Sequence, residues 1–214
     1  MFITFEGLDF CGKSTQVQLL EKYFIENGRK VKIIREPGGT PISERIRDIL
    51  LDKKNSEMSV ETELILFSAS RSQLVNQIIL PALKENYYVI SDRFHDSSIA
   101  YQAFGRNIPL HFVEELQTFV IGRAIPNITF FLDIPIDEVI KRKSKVKKIE
   151  LDRIELSEMD FYERVRNGYL YLAQKEARFI QIDGQLPVEE IHKIIFGEVE
   201  NLEKLDLSNK LERV

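Results

Sequence analysis

Along this chain, short apolar and β-branched runs alternate with longer stretches in which apolar residues recur every third or fourth position. The runs at 2–5 (FITF), 30–35 (KVKIIR), 87–91 (YYVIS), 128–133 (ITFFLD) and 178–183 (RFIQID) read as strands. Helical character fills 61–84, 109–122, 158–176 and 187–199. Strands that alternate with helices predict βα units, hence an α/β fold with a mainly parallel sheet covered on both faces. Neither an internal repeat nor a Pro/Gly/Ser-rich linker interrupts the pattern, so 1–200 reads as one domain. The polar segment 201–214 either frays or extends the last helix; the pattern leaves both open.

Parallel sheets of this kind bind ligands beyond the carboxyl ends of their strands. The residues that follow each strand are therefore the candidates for ligand contact. After the first strand, Gly7-Leu8-Asp9-Phe10-Cys11-Gly12-Lys13-Ser14 matches G-x-x-x-x-G-K-[ST], with an apolar strand before it and a helical run, STQVQLLEKYF, after it. Glycine lets successive backbone N–H groups turn inward around phosphate oxygens, and the following helix points its positive end at the same anion. Lys13 then reaches the β- and γ-phosphates, and Ser14 Oγ can ligate Mg²⁺. This is the signature of a nucleoside triphosphate site. Only the bracketing glycines and Lys13 are demanded by the cradle, so Phe10 and Cys11 are tolerated within it. Cys11 lies near the helix N-terminus, where a thiolate is favoured, so ready alkylation and protection by ATP are expected.

The second strand runs into Arg35-Glu36-Pro37-Gly38-Gly39-Thr40, a turn whose glycines permit close approach of a ligand. Arg47 follows on the next helix, either solvated or aimed at a ligand. In the segment ETELILFSASRSQLVNQIIL, Leu64, Phe67, Arg71, Leu74, Val75 and Ile78 fall on one helical arc about 100° wide. Arg71 interrupts this apolar stripe. A buried guanidinium needs acceptors, and two readings supply them: a nucleobase beside the Phe67 ring, or an internal carboxylate. The third strand ends in Ser91-Asp92-Arg93-Phe94, with Ser98, Tyr101 and Gln102 shortly after. Asp92 can orient Mg²⁺ or its waters, but Asp133 at the end of ITFFLD is an equal candidate on spacing. The run 141–153 (KRKSKVKKIELDR) holds seven basic residues, as a solvated loop or as a lid closing over phosphates.

Composition narrows the partners. Net charge is −4, so the molecule as a whole has no positive excess with which to hold nucleic acid. One cysteine permits no intramolecular disulfide and no metal-binding pair. No apolar run approaches the ~18 residues of a membrane span, and the first residues lack a signal-peptide pattern. A cytoplasmic protein with no membrane partner is expected. The guanine-specifying N-K-x-D is absent, which argues against a nucleotide switch.

Taken together, FEGLDFCGKSTQ, REPGGT, LFSASR, SDRFHDSSIAYQ, LDIP and ELDRIE resemble the thymidylate kinase family in order and spacing, over about residues 1–185. The resemblance implies a P-loop three-layer α/β/α fold with a five-stranded parallel sheet and a short lid at 141–153. It implies a homodimer that transfers the γ-phosphoryl group of MgATP to dTMP, with another pyrimidine deoxynucleotide or deoxynucleoside kinase as the alternative. It carries Gly7 to Thr15 (Gly7, Leu8, Asp9, Phe10, Cys11, Gly12, Lys13, Ser14 and Thr15) to the ATP phosphates, and Asp183-Gly184 to the edge of adenine. Asp9 and Pro37 lie near the acceptor, Phe67 stacks on its base, and Arg71 bonds the carbonyl edge. Ser98 and Gln102 flank the base, Tyr101 crowds the ribose 2′ position, and Arg47 and Arg93 hold the acceptor phosphate. One branch of the family has a basic residue at the position of Phe10 and the other usually a glycine. With phenylalanine there, charge for the transferred group must come from the lid, whose arginines are Arg142 and Arg153.

Overall fold

The computed structural model describes residues 1–145, 153–154 and 159–211, with 206–211 as backbone only. The expected lid therefore lies largely outside the described residues, at 146–152. Strands β1 (Phe2–Glu6), β2 (Val31–Arg35), β3 (Tyr88–Asp92), β4 (Ile128–Asp133) and β5 (Phe179–Asp183) form one sheet in the order β2-β3-β1-β4-β5. Every neighbouring pair is parallel. β1 is buried throughout and β4 up to Asp133, whereas the edge strands β2 and β5 mix buried and exposed positions. Central strands covered on both faces need continuous apolar side chains; edge strands do not. The connection from β1 leaves toward β2 and that from β3 toward β4, on opposite sides of β1. A crevice opens where these connections part, at the carboxyl ends of β1 and β3.

Helix α1 (Lys13–Glu26) follows β1 directly, and α2 (Pro41–Leu51) follows β2. The Thr40 hydroxyl caps α2 by accepting from the Ser43 N–H, with Pro41 at the first turn. Ser59 caps α3 (Val60–Leu74) in the same way through the Thr62 N–H. The stripe on α3 is as the periodicity predicts: Leu64, Arg71, Leu74 and Val75 are buried, and Phe67 and Ile78 partly so. α3 continues through a π-helical turn (Val75–Ile79) into α4 (Leu80–Lys84), where Pro81 has no N–H for the ordinary helical bond.

A second π-helical turn (Ile99–Gly105) follows the short α5 (His95–Ser98). It packs against α8 (Met159–Lys175), where a Cβ on Gly168 would meet Ala100 Cα at 2.8 Å and Phe104 Cβ at 3.0 Å. α6 (Leu110–Ile121) and α7 (Ile136–Lys145) flank β4 in sequence. Of the polar C-terminal segment, the described part, 201–211, is helix: α9 (Val188–Leu211) runs on past 200. Tyr23 of α1 meets Phe196 edge-on at 4.5 Å, and Arg29, just after α1, pairs with Glu203 at 3.3 Å and so tethers the extension.

Candidate active site

The loop from Gly7 to Gly12 turns through residues with positive φ: Gly7 (135°), Phe10 (65°) and Gly12 (106°). A Cβ on Gly7 would lie 2.5 Å from the Leu132 carbonyl oxygen, so only glycine lets the loop leave β1 so close to β4. Beside Gly12 nothing lies within 4 Å of where a Cβ would stand. Lys13 opens α1, and its Nζ donates to the carbonyls of Gly7 (3.0 Å) and Leu8 (2.9 Å). Cys11 departs from expectation. It is 1 % exposed, its sulfur faces the core side of the loop, and burial pushes the thiol up despite the nearby Lys13. Ready alkylation is therefore not expected; burial outweighs the helix N-terminus here.

A cleft of about 640 Å³ opens over this loop. From the P-loop it is lined by Asp9, Phe10, Gly12, Lys13, Ser14 and Thr15, and from β2 and α2 by Pro37 and Arg47. α3 contributes Phe67 and Arg71, β3 and its sequel Asp92, Arg93 and Ser98, and the π-helical turn Tyr101 and Gln102. Arg142 of α7 closes one end. These sequence-predicted residues converge. Gly7, Leu8, Cys11, Asp183 and Gly184 stand behind or beside the lining. Arg153 is not among the lining residues, although its neighbour Ile154 is.

Arg93 crosses the floor with φ of 71°. Its guanidinium donates to Asp9 Oδ1 (2.6 Å), the Gly7 carbonyl (2.9 Å) and Tyr169 Oη (3.1 Å), and lies 5.0 Å from the Tyr101 ring centroid. Burial works against an ionised Asp9, but Arg93 and Lys13 outweigh it and hold the carboxyl below its ordinary range. Arg47 donates to the Pro37 carbonyl at 2.9 Å, as does Arg35.

Arg71 resolves toward the internal carboxylate, which is Glu36. Arg71 Nε donates to Glu36 Oε2 at 2.7 Å and Nη2 lies 2.6 Å from the same oxygen. Nη1 reaches Ser98 Oγ (2.8 Å) and Gln117 Oε1 (2.6 Å), and Nη2 the Phe94 carbonyl (3.1 Å). A base edge arriving beside Phe67 must share these donors rather than find one free.

Asp92 is separated from Asp133 by its neighbours. Ser14 Oγ donates to Asp92 Oδ2 at 2.9 Å on the cleft wall. Asp133 is taken up by Arg166 at 2.7 and 3.0 Å, outside the cleft. Among the described residues, no group of three or more His, Cys, Asp or Glu could hold a metal by itself. A serine and one carboxylate suit Mg²⁺, which keeps waters and substrate phosphates as its remaining ligands.

Arg142 is anchored by Glu138 (2.8 Å) and donates to the carbonyls of Phe10 (3.3 Å) and Gly184 (2.8 Å), so it bridges the P-loop to the turn after β5. Arg153 instead donates to the Leu50 carbonyl (2.9 Å) and Glu63 Oε2 (2.6 Å).

Comparison with known proteins agrees with this geometry. A family profile described as thymidylate kinase matches residues 5–195. The chain belongs to the thymidylate kinase family. It is 46 % identical over 199 residues to the thymidylate kinase of Kosmotoga olearia, covering 92 % of this chain and 94 % of the relative. It is 49 % identical over 189 residues to that of Thermosipho melanesiensis, covering 88 % and 92 %. The crystal structure of thymidylate kinase from Ehrlichia chaffeensis superposes with a TM-score of 0.74 at 34 % identity, covering 93 % of this chain and 98 % of that one. The three-layer fold and the five-stranded parallel sheet are those of this thymidylate kinase neighbour.

Several residues that shape the site escaped the sequence reading. Glu6, last in β1, accepts from the Phe94 N–H (2.7 Å), Ser97 Oγ (2.6 Å) and Tyr169 Oη (2.8 Å). It thereby braces the segment that carries Arg93. Its position at a strand's carboxyl end was the one available signal. Burial and the neighbouring Asp96 push its carboxyl from 4.5 up to about 7. The proton is thus bound more tightly in the fold than in the unfolded chain. Its stabilising contribution is complete below pH 4.5 and lost as pH rises through about 7. His95, pushed by burial from 6.5 to about 4, works in the opposite direction, since protonation at low pH favours unfolding. Urea titrations of wild type and Glu6→Gln isolate the first effect, because His95 is common to both. The stability difference between them should drift across the interval from 4.5 to about 7; a constant difference refutes the assignment.

Proposed function

We propose that this protein transfers the γ-phosphoryl group of MgATP to dTMP, giving dTDP and ADP. The observation that carries the reading is one cleft holding both a P-loop and, across it, an aromatic ring, a buried arginine and an amide: Phe67, Arg71 and Gln102. The P-loop N–H groups and Lys13 take the donor phosphates. Asp9, Arg47 and Arg93 face the acceptor's sugar and phosphate. Tyr101, fixed beside Arg93, stands where a ribose 2′-hydroxyl would need room. Asp183 and Gly184 border adenine, with Arg142 between them and the P-loop. Ser14 and Asp92 are the residues we assign to Mg²⁺, which, when bound, neutralises charge on the phosphates. The acceptor phosphate is already ionised, so no strong base is needed and direct in-line transfer with no covalent enzyme intermediate is the economical route. Positive charge for the transferred group is assigned to Lys13, Arg93 and the Arg142 end of the lid.

The decisive assay is ADP formation from MgATP with dTMP, dUMP, dCMP, AMP, GMP and free thymidine, one at a time. Strong turnover with dTMP, weaker with dUMP and negligible with the others is expected, since one methyl group is worth roughly 1–3 kcal/mol. Preference for a purine or for free thymidine would overturn the reading.

We also assign a homodimer, and place its work in the cytoplasm, where both soluble nucleotides are found. Exposed Phe119 (85 %) and Phe112 (49 %) on α6 and Ile65 (57 %) on α3 support an apolar contact between copies, because adjacent exposed apolar residues mark interaction surfaces. Light scattering should give twice the chain mass for wild type and the chain mass for Phe119→Asp. A monomeric wild type refutes this.

A further inference from the structure

Glu63 lies in the first turn of α3, one helical turn before Phe67, and its side chain is 2 % exposed. Its carboxylate gathers four hydrogen bonds. Gln102 Nε2 donates to Oε1 at 3.0 Å. Arg106 donates to Oε1 at 3.2 Å and Oε2 at 3.3 Å, and Arg153 to Oε2 at 2.6 Å. Both arginines are themselves fixed: Arg106 lies 4.2 Å over the Phe161 ring, and Arg153 Nε holds the Leu50 carbonyl at 2.9 Å. Burial opposes ionisation of Glu63, but Arg106 and Arg153 outweigh it and hold the carboxyl below its ordinary range.

An ionised carboxylate between two guanidiniums has no proton to donate. It can only accept, so the Gln102 amide has one orientation available: NH₂ toward Glu63 and Oε1 away from it. Among the described residues, Oε1 receives no hydrogen bond. Gln102 lines the cleft beside Phe67 and Arg71. A free amide would turn over to suit either a donor or an acceptor on a ligand. A clamped one presents an acceptor only.

We propose that Glu63 is a specificity-determining positioning residue: by clamping the Gln102 amide it presents a carbonyl oxygen to the acceptor base and selects pyrimidines with a ring N–H. Thymine and uracil carry that N–H at N3; cytosine carries a lone pair there, which would face Gln102 Oε1 lone pair to lone pair. A site built for one hydrogen-bond polarity rejects the opposite one far more strongly than it senses a methyl group.

This inference rests on the proposed kinase reaction, and the test separates the two. Initial rates with MgATP are measured for dTMP, dUMP and dCMP in wild type, Glu63→Gln, Gln102→Met and the double variant, each after a melting curve. Wild-type turnover of dTMP tests the reaction. The ratio of kcat/KM for dUMP over dCMP tests the clamp, because neither base has the methyl group. In Glu63→Gln the new amide can either donate or accept, so Gln102 is released to turn over. That ratio should fall about tenfold or more, mainly through the KM values of the acceptors. In the Gln102→Met background, the further change Glu63→Gln should leave the ratio unaltered. A purely structural Glu63 would lower activity on all three acceptors alike, and an unchanged ratio in Glu63→Gln overturns the proposal. Should Glu63→Gln not fold, Gln102→Met decides: Arg71 on the carbonyl edge keeps part of the discrimination, but a dUMP over dCMP ratio unchanged from wild type also overturns it.

Discussion

Replacing Arg71 with methionine will destabilise the fold by about 3–5 kcal/mol at neutral pH, because it leaves a buried carboxylate without its cation. Arg71 and Glu36 have side chains only 1 % and 3 % exposed. Burial already pushes the Glu36 carboxyl up, and Arg71 is what opposes that rise. Without the guanidinium, Glu36 must take a proton rather than remain charged in an apolar surrounding. The variant's Glu36 then has a folded pKa raised further above its unfolded value. Its deficit should shrink as pH falls, whereas wild type lacks this dependence at the same strength. Methionine keeps most of the apolar volume, so loss of packing is a small part of the effect. The double variant Glu36→Gln/Arg71→Met should recover much of the lost stability. Urea denaturation of the three proteins at two pH values measures all of this. A single-variant loss below about 1 kcal/mol, typical of an exposed pair, would mean that the pair is not buried as described. The same guanidinium lines the cleft, so the stability measurement belongs beside the acceptor KM: the residue that holds α3 to the turn after β2 is also the one proposed to meet the base.

How much of this was legible beforehand depended on whether the relevant contact was local. The strands could be read to within a residue because apolar β-branched runs are cut sharply by glycine, asparagine or aspartate: ITFFLD is bounded as β4, and FITF is extended only by Glu6. The phosphate cradle was legible for the same reason; its glycines, lysine and serine act at fixed separations along one turn. Arg71 was conspicuous because a guanidinium in an apolar stripe demands a partner. The partner, Glu36, comes from another element 35 residues away, and no local pattern designates it. Asp92 and Asp133 show the limit from another side. Both end apolar strands, and only the arrival of Arg166 from α8 takes one of them away. Cys11 shows it again. Helix-terminus reasoning addressed the charge around the thiol, but the loop folds so that the side chain is buried, and desolvation then outweighs the charge. Arg153 stands in a basic run that a lid would carry, and its guanidinium meets Glu63, a partner 90 residues away that no local pattern designates.

Lys13→Ala will lower kcat by about 10²–10³, the usual cost of deleting one donor aimed at charge that develops in the transition state. Lys13 is 6 % exposed, yet it forms no ion pair among the described residues; its Nζ donates to the carbonyls of Gly7 and Leu8 and, at 3.6 Å, to Cys11 Sγ. An ammonium held by uncharged carbonyls in the mouth of an anion cradle is stabilised less by the fold than it would be by phosphate oxygens. Its removal should therefore cost the fold less than loss of Arg71 does. Acceptor affinity, measured by calorimetry with dTMP alone, should change by less than about tenfold, since the proposed base and sugar contacts come from α3 and the turn after β3. Lys13→Arg should not restore the rate. The charge is kept, but the planar guanidinium is larger than the ammonium and cannot enter the space between two carbonyls at 3.0 and 2.9 Å. Positioned charge, rather than charge alone, is what this loop supplies. A Lys13→Ala enzyme within about threefold of wild-type kcat would remove Lys13 from the transfer step and leave that charge to Arg93 and Arg142.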